Sequence, residues 1–188
     1  MVFRVLVLYG TGSGQTRKIA SALGETLRKA GATVDVLDAA DALDPDPDRY
    51  TGVIVAAPVR AGGYPRHVRR WVKAHAAALK NIPNAFVSVC LGVLEKNPRT
   101  DAELERIRQK FFAETGWQPR TTKVVAGALM YTKYNFILRW FMRRIVARAH
   151  GDVDTSRDYE YTDWRDLDAF GRDYARELVG DVPVKVAS

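Results

Sequence analysis

Apolar runs of strand length alternate along the chain with segments whose apolar residues recur at helical spacing. The first run extends from Phe3 to Tyr9 and is interrupted only by Arg4, and further short apolar runs follow it. Unbroken runs of this kind are typical of strands that are buried on both faces of a parallel sheet. The alternation predicts an α/β fold in which helices cover such a sheet.

The same pattern places the individual elements. The predicted strands are residues 3–9, 33–37, 52–57, 85–90 and 123–129, and the predicted helices are residues 15–30, 67–79, 101–114 and 164–179. In the first helix Ile19, Leu23 and Leu27 recur on one face, and Gly31 ends it. Five strands that each lead toward a helix predict a doubly wound sheet, which binds its ligands at the carboxyl ends of the strands.

One stretch, from Met130 to Asp163, departs from this scheme because only a short connection is expected between the fifth strand and the last helix. Within this insertion, Asn135 to His150 has helical periodicity, with a broad apolar face and a narrower stripe of Phe136, Trp140 and Ala147. Four arginines frame the narrower stripe: Arg139, Arg143, Arg144 and Arg148.

Three interpretations of this predicted insertion helix stay open. An aromatic stripe between arginines suits an anionic membrane surface. It also suits a flat apolar macrocycle that carries carboxylates, because arginine pairs bidentately with carboxylate. In the simplest interpretation, both apolar faces are packed between the domain and a partner subunit, which leaves a homo-oligomer open.

Length and charge add bounds to this picture. The 188 residues fit one domain, which we place at residues 1–180 including the insertion 130–163, with residues 181–188 as a C-terminal tail. The formal net charge of +7 points to anionic partners. The basic residues are spread over several helices without a nucleic-acid motif, so we predict no nucleic-acid partner. The three histidines are too scattered for a metal site, and the single cysteine, Cys90, forms no ligand cluster.

The start of the sequence bears on localisation. It enters an apolar strand directly, without the basic start, apolar stretch and cleavage site of a signal peptide. No apolar run reaches the ~18 residues that a spanning helix needs. These patterns predict a cytoplasmic protein.

The candidate chemistry begins where the first strand ends, at residues 9–16, YGTGSGQT. Its glycines allow positive φ and close approach of a ligand, its hydroxyls are hydrogen-bond donors, and the following helix presents free N–H groups to an anion. No lysine or arginine interrupts the loop, which predicts that neutral donors alone hold the anion. The pattern matches neither the triphosphate loop nor the dinucleotide glycine motif. The simpler alternative is a tight strand-to-helix turn with a capping hydroxyl.

This loop resembles the phosphate loop of the flavodoxin family, in which Ser or Thr, any residue, Ser or Thr, Gly, any residue and Thr follow one another. The resemblance implies a flavodoxin-like five-stranded sheet of order 2-1-3-4-5 and flavin mononucleotide (FMN) as the cofactor. The implied phosphate-binding residues are Thr11, Gly12, Ser13, Gly14, Gln15 and Thr16. The implied loops around the flavin ring contain Pro58, Val59, Arg60, Ala61, Gly62 and Gly63, and Cys90, Leu91, Gly92 and Val93. Tyr64 either stacks on the ring or packs at a helix start.

The chain is similar, over nearly its whole length, to one branch of this family, the bacterial menaquinone-dependent protoporphyrinogen IX dehydrogenases. The resemblance is carried by residues 14–17, 59–60, 117–119, 126–129, 131, 154–155 and 161–164, in that order and spacing, and by the insertion. The chain departs from the branch at Ala61, where an aromatic residue is common, and over residues 91–96.

This narrower resemblance implies a role in haem biosynthesis, the oxidation of protoporphyrinogen IX with electrons passed through FMN to a membrane quinone. It assigns no catalytic acid, base or nucleophile, since the cofactor performs the redox chemistry. We expect Phe136, Arg139, Trp140, Arg143 and Arg144 to contact the substrate or an anionic membrane, to whose inner face the protein attaches peripherally. The alternative is a flavodoxin-type electron carrier or quinone reductase without a porphyrinogen substrate; the basic charge and the insertion argue against it.

Overall fold

The protein is described by a computed structural model that covers residues 3–42, 44–129 and 158–180. Its main sheet consists of β1 (Arg4–Tyr9), β2 (Thr33–Asp38), β3 (Gly52–Pro58), β4 (Asn84–Val89) and β5 (Thr121–Val125). The helices are α1 (Gln15–Lys29), α2 (Arg66–Leu79), α3 (Pro98–Thr115) and α4 (Trp164–Gly180). Two short strands, β6 (Ala128–Leu129) and β7 (Tyr159–Glu160), form a separate antiparallel pair. The 3₁₀ turns Pro47–Arg49 and Leu91–Glu95 complete the described elements.

The strand order of the main sheet is β2-β1-β3-β4-β5, and every neighbouring pair is parallel. This order confirms the predicted doubly wound α/β fold. From β1 the chain adds β2 on one side, and it then adds β3, β4 and β5 on the other side. The loops that follow β1 and β3 therefore diverge and leave a crevice at the carboxyl ends of these two strands.

Two apolar layers hold the helices on the sheet. On one face, Val5, Val7 and Ile54 pack against α1 and α4; on the other, Leu6, Leu8 and Phe86 pack against α2 and α3. Successive residues of β1 serve opposite layers because side chains alternate along a strand. All of these strand residues are fully buried, in agreement with the continuous apolar runs of the sequence.

The fifth strand is the clearest correction to the predicted elements. The predicted single strand 123–129 is wrong, because β5 covers Thr121–Val125 and residues 128–129 form β6. The carbonyl of Val125 still accepts from the Cys90 N–H at 2.9 Å, but that of Gly127 accepts from Tyr161 at 3.1 Å. The backbone therefore exchanges its partner in the main sheet for a partner far along the sequence, although the apolar run continues.

Helix α3 begins three residues earlier than predicted. Its N-cap is Asn97, whose side-chain oxygen accepts from the Thr100 N–H at 2.9 Å, and Pro98 occupies the first turn. An Asn cap followed by proline is a favourable helix start. The C-cap that follows α3 is Gly116 in the left-handed conformation, with φ of 69°.

The insertion helix predicted at residues 135–150, with its arginine-framed stripe, lies outside the described residues. The assignment of residues 1–180 to one domain therefore stays a prediction. None of the helices in residues 3–42, 44–129 and 158–180 is long and apolar enough to cross a membrane. In the same residues no three His, Cys, Asp or Glu side chains are grouped closely enough to hold a metal ion.

Candidate functional site: a phosphate loop and two flanking loops

Three loops emerge side by side at the carboxyl edge of the sheet. The Gly10 N–H donates to the Ala56 carbonyl at 3.0 Å, which holds the end of β1 against β3. The Val59 N–H donates to the Val89 carbonyl at 2.9 Å and holds the end of β3 against β4. The loops that begin at residues 10, 59 and 90 are therefore neighbours, as the sequence predicted.

The first loop leads into a helix start whose first backbone donors have no acceptor among the described residues. Gly14 has φ of 100° and its N–H donates to Thr11 Oγ1 at 2.9 Å, which turns the chain into α1. The first backbone bond of α1 runs from Lys18 N to the Gly14 carbonyl at 3.3 Å. None of the described residues accepts from the N–H groups of residues 15–17. Free N–H groups and the positive end of the helix dipole favour an anion at this place.

A cation reaches this loop from the second loop. Gly12 is exposed, and a Cβ atom built on it would overlap the guanidinium of Arg60. A guanidinium therefore lies beside the loop in addition to the neutral donors that the sequence predicted, and that prediction stays untested. The pattern within the loop could not show this, since Arg60 lies in another loop and approaches through its side chain.

The second loop makes a tight turn at its exposed tip. Arg60 and Gly63 exchange two backbone hydrogen bonds, of 2.9 and 3.0 Å, around Ala61 and Gly62. These two residues have φ values of 47° and 72°, as a two-residue hairpin turn requires. A cavity of about 250 Å³ opens beside the turn and is also lined by the ion pair of Arg69 and Glu114, whose closest atoms are 3.0 Å apart.

Tyr64 follows this turn and packs into the core. Its hydroxyl lies 2.8 Å from Ser88 Oγ, and its ring centroid lies 5.0 Å from that of Phe86 and 4.9 Å from that of Phe111. Burial raises the pKa of Tyr64 to about 12. Of the two alternatives for Tyr64, the structure favours the packed aromatic at a helix start over a ring that stacks on a flavin.

The third loop starts at Cys90, whose Sγ accepts from the Gly92 N–H at 3.2 Å as the 3₁₀ turn Leu91–Glu95 begins. Leu91, Gly92 and Val93 are half-buried. Burial raises the pKa of the Cys90 thiol, and this keeps the neutral form at physiological pH. A neutral thiol is a poor nucleophile, so Cys90 acts here as a small apolar residue.

The Gln15 side chain points away from the loop, toward the base of the insertion. Gln15 is 3% exposed, and its Nε2 donates to Thr162 Oγ1 at 3.0 Å. That hydroxyl in turn donates to the Ala126 carbonyl at 2.8 Å. One turn further along α1, Lys18 forms an ion pair with Glu160 at 2.9 Å. These contacts attach α1, the helix that follows the phosphate loop and is called the phosphate helix below, to β6 and β7.

Sequence reasoning assigned no role to Thr162 or Glu160. The only signal was the stretch 161–164, which carries the family resemblance without indicating what it contacts. His67 was likewise interpreted as one of three scattered histidines. The structure places its buried Nε2 2.8 Å from where a Cβ of Gly10 would stand, so this imidazole backs the first loop.

These residues fit the phosphate end of FMN. The N–H groups at the start of α1 and the guanidinium beside Gly12 are donors of the kind that bind a phosphate monoester. The two flanking loops, which the sequence predicts to lie around the flavin ring, begin side by side next to the first loop. The predicted residues of the insertion, Phe136, Arg139, Trp140, Arg143 and Arg144, lie outside the described residues.

Comparisons with known proteins agree with this geometry. A protein of Escherichia coli strain K12 named protoporphyrinogen IX dehydrogenase (quinone) is 34% identical over 172 residues, which cover 92% of this chain and 94% of the relative. A protein of the same name from Leishmania major is 32% identical over 175 residues, covering 92% of this chain and 74% of the relative.

Among solved structures, a flavodoxin of Streptococcus pneumonia TIGR4 superposes with a TM-score of 0.57 at 16% identity, and the match covers 95% of this chain and 99% of the flavodoxin. At this identity the likeness concerns the fold alone. The family model that describes the flavodoxin domain matches residues 6–156. The chain belongs to the flavodoxin domain family, in the branch of these protoporphyrinogen IX dehydrogenase relatives.

Proposed function

We propose that this chain is an FMN-dependent dehydrogenase that oxidises protoporphyrinogen IX to protoporphyrin IX and passes the electrons to a quinone. The observation that carries the proposal is 34% identity over 92% of the chain to the Escherichia coli dehydrogenase. The fold and the anion-binding loop agree with it independently. The oxidation belongs to haem biosynthesis.

In this proposal the three loops share the binding of FMN. The loop 11–16 holds the phosphate, and the loops 58–63 and 90–93 flank the ring. When bound, FMN accepts electrons from the substrate and delivers them to the quinone. The protein supplies position and exclusion of water, and the proposal gives neither Cys90 nor Tyr64 a role as an acid or base.

The experiment begins with the flavin. We expect purified protein to show a flavin spectrum and to release FMN on denaturation, identified by mass. The Ser13→Ala, Thr16→Ala double variant should bind FMN more weakly, because each hydroxyl bond to a charged group contributes ~1.5–3 kcal/mol. Stoichiometric release of the dinucleotide, or an unchanged FMN dissociation constant in the double variant, would contradict the assignment of the loop.

The second step measures turnover under anaerobic conditions. Protoporphyrinogen IX and a quinone are mixed with the holoenzyme, and the fluorescence of protoporphyrin IX is followed. We expect porphyrin to form only when the quinone is present. Reduction of the quinone by other donors without porphyrin formation would instead support the flavodoxin-type carrier or quinone reductase.

We further propose that the protein attaches peripherally to the inner face of the cell membrane. The proposal rests on the net charge of +7 and on the aromatic stripe between arginines at residues 136–148. A quinone acceptor dissolves in lipid, so the enzyme has to reach the bilayer. Each basic residue near an anionic surface contributes about 1 kcal/mol.

Vesicle sedimentation tests the attachment. Wild-type protein should bind anionic vesicles and detach as salt is raised, because the attraction is screened over ~8–10 Å at physiological ionic strength. The triple variant Trp140→Ala, Arg139→Ala, Arg143→Ala should lose vesicle binding and keep its flavin spectrum. Wild-type protein that ignores anionic vesicles at low salt would refute the attachment, and the insertion would then be assigned to substrate or to a subunit contact.

A further inference from the structure

We propose that Arg60 supplies the positive charge for the FMN phosphate and makes the site selective for the phosphorylated flavin over riboflavin. The inference rests on the proposed function only in taking FMN as the cofactor. It assigns to the second loop a part in phosphate binding, in addition to its place beside the ring.

The geometry places the guanidinium at the phosphate loop. The nearest atoms to a Cβ position built on Gly12 all belong to Arg60: Nη1 overlaps it, Cζ lies 2.7 Å away and Nε 3.4 Å away. Gly12 carries no side chain, so the guanidinium rests directly against the backbone. Because the loop itself contains no lysine or arginine, Arg60 is the cation that reaches Gly12 in the described part of the chain.

The neighbouring cations are already paired with carboxylates. Lys18 lies 2.9 Å from Glu160, and Arg69 lies 3.0 Å from Glu114. Arg17 donates to the Tyr9 hydroxyl at 3.0 Å and lies 4.0 Å from Asp38. By contrast, no carboxylate within residues 3–42, 44–129 and 158–180 pairs with Arg60. Its charge is therefore available to a ligand.

The turn that carries Arg60 fixes the backbone from which its side chain extends. Val59 is bonded to Val89 of the neighbouring strand, and Arg60 and Gly63 are joined by two backbone bonds. Arg60 thus extends from a fixed base toward Gly12. A planar guanidinium can donate to two phosphate oxygens at once. A donor whose backbone is already fixed loses less entropy when the ligand binds.

Selectivity for FMN over riboflavin follows from the phosphate group, which riboflavin lacks. Riboflavin has the same ring as FMN and no phosphate, so it gains nothing from a cation at the loop. A residue that contacted only the ring would instead affect both ligands equally. The ratio of the two dissociation constants therefore isolates the contribution of Arg60 to phosphate binding.

The experiment uses the full chain after removal of flavin, with FMN and riboflavin titrated by quenching of flavin fluorescence. We expect Arg60→Gln to raise the FMN dissociation constant about 10- to 100-fold, as expected for hydrogen bonds to a charged group, and to change the riboflavin constant by less than about threefold. Arg60→Lys keeps the charge and loses the planar guanidinium, so its FMN dissociation constant should lie between those of the wild type and Arg60→Gln. Arg70→Gln on α2 removes the same charge from an exposed position and should leave the FMN constant near the wild-type value.

Inorganic phosphate is a second probe. Inorganic phosphate should compete with FMN for the wild-type site, and Arg60→Gln should weaken that competition. An FMN constant in Arg60→Gln equal to that of Arg70→Gln would overturn the proposal, as would equal weakening of FMN and riboflavin. These constants do not depend on turnover, so failure to oxidise protoporphyrinogen would refute the proposed enzyme activity without touching Arg60.

Discussion

Replacement of Thr162 by valine tests the link between the phosphate helix and the base of the insertion. Valine keeps the shape of threonine and removes the hydroxyl, which accepts from Gln15 at 3.0 Å and donates to Ala126 at 2.8 Å. Thr162 is 8% exposed, so water does not readily replace either bond. The buried Gln15 amide and the Ala126 carbonyl each lose a partner.

The magnitude follows from these two groups. A buried polar group that loses its partner costs about 1–3 kcal/mol, so with two such groups we expect Thr162→Val to lower the free energy of unfolding by about 2–6 kcal/mol. Thr162→Ser is the matched control, because it keeps the hydroxyl and loses one methyl group, a change of about 1 kcal/mol or less.

Urea unfolding of the flavin-free protein, followed by tryptophan fluorescence, measures both variants. Flavin is removed because a bound ligand stabilises the folded state by mass action. The slope of the free energy against urea should stay unchanged, since the same surface is exposed on unfolding. Equal stability of the valine and serine variants would refute the reasoning, because the hydroxyl would then contribute nothing measurable.

Three further predictions concern the residues around the site. Ala61 has φ of 47°, so Ala61→Gly should relieve about 1 kcal/mol of strain, offset in part by the greater entropy of the unfolded chain; a lower urea midpoint would contradict this. Burial raises the pKa of Cys90 from 9.0, so alkylation by iodoacetamide should be slow at pH 7, rise steadily with pH and level off only above pH 9.0; rapid alkylation at neutral pH would disprove it. The hydrogen bond from Lys18 lowers the pKa of Glu160 from 4.5, so this carboxylate stabilises the fold above pH 4.5 and the contribution is lost as the pH falls through the lowered pKa. Glu160→Gln should therefore flatten the decline of stability below pH 4.5, and an acid profile like that of the wild type would argue against the contribution.

The buried strands were predictable because their signal is local. Residues of β1 and β3 are apolar at successive positions, and a doubly sandwiched strand requires this. The glycines and hydroxyls of residues 10–16 likewise indicated the anion site, since backbone donors at the start of a helix are set by the chain itself. The break after Val125 was not predictable, because Tyr161 competes for the backbone from a distant position.

Side-chain direction was the other limit. Gln15 belongs to the phosphate loop in sequence, yet its carboxamide is held by Thr162, 147 positions along the chain. Arg60 appeared to belong to the ring loop alone, yet its guanidinium reaches Gly12. Both contacts join segments that are far apart in the sequence and meet only in the folded chain. A single sequence contains no pattern that shows which of its distant side chains touch.

The pairing of β6 with β7 has a consequence for the length of the chain between them. Leu129 and Tyr159 are direct partners, so the ends of the described ranges 44–129 and 158–180 are held side by side, with opposite Cα atoms about 4.5–5.5 Å apart. The closing free energy of the intervening stretch rises only with the logarithm of its length. A change in the number of residues between Leu129 and Tyr159 therefore costs little closure free energy, because the β6–β7 pair already holds the two ends together.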